Sequence, residues 1–188
     1  MGSRNLSCVA LLLLATTAQA QPARLHELSL GATSFSFISY LRSSAGFSAV
    51  EAAYHRRVSS EGPWRALRLG GGLRTGIPAS ATHIPMEGFL QIQLSARIGP
   101  WEAVVGPELG LSGFSKLETQ TLVPMQQLKD LEDERFGPVY VAFAAAPVRL
   151  HFGRVVVSAL ELNLGTNASS FGSAVRAQLG LLRLGMEL

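Results

Sequence analysis

Glutamate, arginine and histidine recur along this chain at positions that alternate with aliphatic residues, and they are the side chains from which a reactive site could be built. The carboxylates are Glu27, Glu51, Glu102, Glu108 and Glu161, and the guanidiniums are Arg68, Arg74, Arg97, Arg149 and Arg183. His55 and His151 lie among them. Groups of this kind move protons, activate nucleophiles or bind metals. Their spacing supports none of the three. The histidines (His26, His55, His83, His151) lack the close spacing that converges ligands, and no Asp/Asn-rich calcium loop occurs. The one acidic run, Asp130, Glu132, Asp133 and Glu134, is flanked by Lys129 and Arg135 and reads as a solvated loop. Gly70-Gly71-Gly72 has no helix after it, so it suits a bend or close packing in a strand and not a phosphate loop. A Ser-His-acid site assembled across strands stays open, because triads are recognised by geometry. No catalytic, cofactor or metal residue is assigned. The mixed signs instead predict an interior network of paired charges.

Eight segments with a period of two would have to position these groups, and that period belongs to a strand. The clearest runs from Leu90 to Ile98, with Leu90, Ile92, Leu94, Ala96 and Ile98 opposing Gln91, Gln93, Ser95 and Arg97. After Gly99-Pro100, a tight hairpin, Trp101, Ala103, Val105, Leu109 and Leu111 oppose Glu102, Glu108 and Ser112. Upstream, Leu67, Leu69, Gly71 and Leu73 oppose Arg68 and Arg74, and Val50, Ala52 and Tyr54 oppose Glu51 and His55; Ser59 to Pro63 joins these two segments. Downstream, Val148, Leu150 and Phe152 oppose Arg149 and His151. Gly153 then turns the chain into Val156, Leu160, Leu162 and Leu164, opposing Glu161 and Asn163. The first segment is Leu25 to about Phe37, containing Glu27, and the last covers Val175 to Leu188. Parity reverses at Leu181-Leu182, which predicts a β-bulge.

The remaining gaps, at about 38–45, 77–88, 115–135 and 166–173, are long and alternate with the short turns. A sheet that winds up and down through a bilayer has this pattern. Leu122 to Glu134 reads as a solvated loop, with a short amphipathic helix over the barrel mouth as the alternative.

Residues 1–20 read as a cleavable export signal: Arg4, an apolar stretch from Leu6 to Thr17, then Ala18-Gln19-Ala20 with cleavage after Ala20. Residues 21–188 form one domain. Cys8, the only cysteine, leaves with the signal, so disulfides and thiolate sites are excluded from the mature chain. Charged residues are 15% against 47% hydrophobic ones, yet no apolar run after the signal is long enough for a membrane helix. A net charge of +3 is too small and dispersed for nucleic acid.

Alternation alone leaves the sidedness open. A soluble periplasmic barrel of lipocalin type would hold an apolar ligand and turn its arginines outward. The alternating gaps, the nearly charge-free apolar face and the balanced polar face favour a transmembrane barrel. Its eight strands would enclose a packed polar interior and no wide pore. Gly62-Pro63-Trp64 and Gly99-Pro100-Trp101 place indoles near one interface. The expected fold is all-β: an eight-stranded antiparallel up-and-down transmembrane β-barrel with short periplasmic turns and longer outer loops.

Over about residues 25 to 188, ending Leu184-Gly185-Met186-Glu187-Leu188, the chain resembles the small outer-membrane barrels of the OmpA/OmpX type. The likeness is architectural, and no family motif carries over. It implies a place in the bacterial outer membrane among lipid and lipopolysaccharide. It also implies contact with the barrel-assembly machinery through the C-terminal strand, and an extracellular partner for the loops. A structural or surface-interaction role follows, in envelope integrity, adhesion or narrow solute passage. A lipid-modifying enzyme is the third reading. Lipid A deacylases of similar shape carry His-x-Ser on a late strand, and no histidine here has serine two residues on.

Overall fold

Eight antiparallel strands close on themselves in sequence order, with β1 beside β8, in the computed structural model of the chain. The strands are β1 (His26–Ser39), β2 (Arg42–Arg57), β3 (Leu67–Gly76), β4 (Met86–Ile98), β5 (Trp101–Ser112), β6 (Val139–Phe152), β7 (Val155–Asn167) and β8 (Ala174–Glu187). The structure describes residues 24–39, 42–77, 86–113, 139–168, 171 and 174–188. The expected export signal, His83 and the 122–134 segment lie outside them.

Closure puts the β2–β3, β4–β5 and β6–β7 connections at one end and the β1–β2, β3–β4, β5–β6 and β7–β8 connections at the other. The expected alternation of short and long is only partly met: β1 and β2 are separated by two residues, and the β2–β3 connection is as long as β3–β4. Each short turn contains one glycine with positive φ, Gly62, Gly99 or Gly153, a conformation that suits glycine. The β4–β5 and β6–β7 turns are two-residue hairpins, Gly99-Pro100 and Gly153-Arg154. The β2–β3 turn is longer than expected and contains a 3-10 turn, Pro63–Ala66. Trp64 therefore sits on a turn and not in a strand.

Two expectations about boundaries are corrected. Most of the gap at 38–45 is strand: β1 reaches Ser39 and β2 begins at Arg42, and the two pair from His26↔Arg56 to Ser39↔Arg42. β1 and β2 are 14 and 16 residues long, and their Ser- and Gly-containing end carries no apolar alternation to mark it in the sequence. β6 likewise starts at Val139, because its inward positions are Tyr140 and alanines and offer little polar contrast.

Pairing of β1 with β8 skips Leu181, passing from Ala32↔Leu182 to Thr33↔Gly180, so the β8 bulge lies where the parity reversed. β7 has a matching slip that the sequence reading lacked. Ser158 pairs with Arg183 and Glu161 with Gly180, while Ala159 and Leu160 lie between. Val156, expected on the outer face, is consequently buried inside the barrel at 1% exposure.

Sidedness is settled by the same geometry. Leu90, Ile92 and Leu94 are 67%, 52% and 58% exposed on the outside. Buried side chains are mostly polar or charged, with a small apolar cluster of Ala53, Phe89 and Tyr140. This inverts the lipocalin arrangement.

Candidate functional site: the charged barrel interior

Inward positions gather the charged residues into two clusters stacked along the barrel axis. Near the short turns, Glu102 is fully buried and is met by arginines from three strands. Arg57 and Arg68 each donate to it at 3.1 Å and Arg149 at 3.0 Å. Arg68 also donates to Glu27 at 2.5 Å, and Arg149 bonds the other oxygen of Glu27. His151 stands 3.0 Å from Glu102 through Nε2 and 3.4 Å from Glu187 through Nδ1.

Nearer the long connections, Arg74 is the hub. Its Nε donates to Glu51 at 2.5 Å, and Nη1 reaches Glu87 and Glu108 at 2.7 Å and the Tyr140 hydroxyl at 2.9 Å. Nη2 reaches the second Glu108 oxygen at 2.8 Å, making that pair a two-pronged one. Arg176 grips Glu87 through both terminal nitrogens, and Arg183 bonds Glu51 and lies 2.7 Å from Glu161. A short polar chain extends from the Arg74 cluster. His55 and Gln93 both bond the carbonyl oxygen of Gln91, at 2.8 and 2.7 Å, and the Gln91 amide donates to Glu108.

Local sequence explains how the hub is held. Gly72 pairs directly with Phe89, and Gly110 with Tyr140. Each inward glycine lets the opposite ring lie flat against the wall, and a guanidinium stacks on the ring. Arg74 sits 3.7 Å over Phe89 and Arg176 3.8 Å over Tyr140. Stacked on one side and hydrogen-bonded at its edge, a guanidinium is fixed in orientation as an ammonium would not be.

The expected network residues are mostly placed in these clusters: Glu27, Glu51, His55, Arg68, Arg74, Glu102, Glu108, Arg149 and His151 are buried, and Glu161 and Arg183 nearly so. Arg97 is the exception. It points inward by parity but lies one rung inside the turn-end pair Ile98↔Trp101, where its side chain is 40% exposed and 3.8 Å from Glu187. Sequence reasoning missed Glu87, Arg176 and Tyr140. Glu87 was assigned to a gap, and Tyr140 lay in the unrecognised half of β6. The available signal was a glycine at inward parity facing an aromatic across the strand pair.

Little empty space remains. One cavity of about 30 Å³ lies between the clusters, bordered by residues including Glu27, Gln93, Asn163 and Arg183, and another of about 10 Å³ lies near His26 and Arg57. Such volumes suit water molecules and no larger ligand. The described histidines contact Tyr54 (from His26), Gln91 (from His55), and Glu102 and Glu187 (from His151). No serine is among those partners. Among the described residues no group of His, Cys, Asp and Glu is arranged to hold a metal.

No family model and no curated protein sequence matches the chain. Solved structures do. The Neisserial surface protein A (NspA) superposes with a TM-score of 0.57 at 10% identity, covering 87% of this chain and 97% of its own. Ail, the attachment invasion locus protein of Yersinia pestis, gives 0.50 at 8% identity, covering 87% and 99%. The chain shares their fold, an eight-stranded up-and-down barrel.

Proposed function

We propose that the chain is an integral outer-membrane β-barrel with a sealed, structural interior, working through its long connections as a surface-interaction or envelope-integrity protein. The observation that carries this is the inversion of polarity. A belt of exposed leucines, isoleucines and valines surrounds a core of paired charges, and only a hydrocarbon solvent favours that arrangement. Outer-membrane lipid and lipopolysaccharide are then the surroundings of the belt. The terminal strand β8, which closes the barrel against β1, is the element offered to the assembly machinery. The names of the two neighbours, a surface protein and an attachment locus protein, support a partner outside the cell.

The two cavities bordered by described residues, about 30 and 10 Å³, favour these roles over solute passage. The histidine partners favour a non-enzymatic role over lipid modification. Expression with the native leader, followed by fractionation and gel mobility with and without boiling, tests the reading. Recovery in the outer membrane with a heat-dependent mobility shift is expected; recovery in the soluble periplasm refutes it.

A further inference from the structure

Each of the three short turns combines an outward aromatic ring with an exposed arginine. On the β2–β3 turn these are Trp64, 63% exposed, and its neighbour Arg65, with Arg56 exposed on the last rungs of β2. On the β4–β5 turn they are Trp101 and Arg97, one rung apart through the pair Ile98↔Trp101. On the β6–β7 turn they are Phe152, 58% exposed, and Arg154. Among the described residues the side chains of Arg56, Arg65 and Arg154 have no hydrogen-bond or ion-pair partner. The acids beside the rim are Glu61, exposed, and Glu187, already engaged with His151 and Arg97, while Glu27 and Glu102 are buried among the interior arginines. Arg56, Arg65 and Arg154 are therefore unpaired guanidiniums close to the outward rings Trp64 and Phe152, and Arg97 is held by Glu187 one rung inside Trp101.

We infer that this rim is a binding collar for anionic phospholipid headgroups in the leaflet that the short turns face. The inference rests on the membrane-spanning reading above. Aromatic rings settle at the boundary between acyl chains and headgroups, which fixes the depth of the turns. An arginine one or two residues away then lies at phosphate level, where its planar fork can take two phosphate oxygens. Zwitterionic lipids offer the same phosphate together with a cancelling ammonium, so a ring with excess positive charge prefers lipids of net negative charge. The interior arginines are spoken for by glutamates; Arg56, Arg65 and Arg154 are not.

Fluorescence can read this end alone, because Trp64 and Trp101 are the chain's two tryptophans. The full protein, refolded into phosphatidylcholine vesicles, is compared with equal mole fractions of brominated phosphatidylcholine or brominated phosphatidylglycerol. Stronger quenching by the brominated phosphatidylglycerol is expected, corresponding to an enrichment of roughly fivefold for each arginine engaged and weakening with salt. The variant Arg56→Gln/Arg65→Gln/Arg154→Gln should lose the preference while keeping the heat-dependent mobility shift of a folded barrel. Equal quenching by the two lipids, or an unchanged preference in the folded variant, overturns the collar. Absence of quenching by either lipid places the indoles outside the bilayer, which overturns the membrane reading and the collar with it.

Discussion

Replacing Arg74 by methionine should cost the barrel about 3–5 kcal/mol, the range for removing one partner of a buried ion pair. The figure follows from what is left behind. Glu51 retains Arg183 and Gln178, and Glu87 retains Arg176. Glu108 loses both of its guanidinium bonds and keeps only the Tyr140 hydroxyl and the Gln91 amide. Methionine matches the arginine stem but lacks the guanidinium that stacks on Phe89, so the loss is one of charge and stacking more than of volume. Neutralising the stranded acid should reverse part of it. Arg74→Met/Glu108→Gln is expected to recover about 2 kcal/mol relative to Arg74→Met, the coupling expected within one hydrogen-bonded network. Arg74→Lys should fall between the wild type and Arg74→Met, since one ammonium cannot reach three carboxylates with the geometry of a fork. The assay is reversible urea unfolding in vesicles, followed by the mobility of unboiled samples. A loss below about 1 kcal/mol for Arg74→Met, or a double variant no more stable than the single, would refute the hub role.

Depth matters on the outer face: Leu94→Arg, four residues inside the turn-end rung at Ile98, should cost about 2–4 kcal/mol, and Ile98→Arg about 0–1. Comparing their urea midpoints in vesicles checks this, and equal penalties would argue against a bilayer around the belt. Gly106→Ala should destabilise by about 1–3 kcal/mol, because the new Cβ would run into the Ile92 carbonyl, a backbone atom that cannot swing aside. Gly88→Ala, where the nearest atom would be Leu73 Cδ2 at 3.7 Å, should be neutral by the same titration. In planar bilayers the wild type should give no sustained current steps, whereas a folded Glu51→Ala/Arg74→Ala/Glu108→Ala variant should; steps from the wild type would refute the sealed interior.

Much of this fold is legible from parity alone, because a bilayer demands apolar side chains at every second position where it touches the wall. The segments from Leu67 to Arg74 and from Leu90 to Ser112 were read with their faces correct for that reason. Legibility failed where the demand stops. Toward Ser39 and Arg42 the β1–β2 hairpin carries no apolar alternation, and at Ala159–Leu160 a slip turned Val156 inward with only Ser158 to mark it. The hub was half visible. Arg74, Glu51 and Glu108 fell on the inward face, but nothing in a one-dimensional pattern says that residues on β3 and β5, or on β8 and β4, meet across the lumen. Those meetings depend on closure and on the glycines that let Phe89 and Tyr140 lie flat.

Closure also suggests why the interior is built from charge when an aliphatic filling could be at least as stable. Side chains alternate with a period of two, so a one-residue slip of any strand exchanges its inner and outer faces. If β3 slipped, Arg68 and Arg74 would enter the hydrocarbon at about 2–4 kcal/mol each. Their partners Glu27, Glu51, Glu87, Glu102 and Glu108 would each lose a counter-ion inside. An aliphatic interior would impose no such penalty, since its residues are equally at home in lipid. Several pairs also form only when the sheet has closed: Glu27 on β1 meets Arg149 on β6, and Glu87 on β4 meets Arg176 on β8. The charges thus penalise wrong registers and open sheets far more than they reward the native one. In a bilayer, where apolar burial no longer separates inside from outside, that difference is what selects a single closed arrangement.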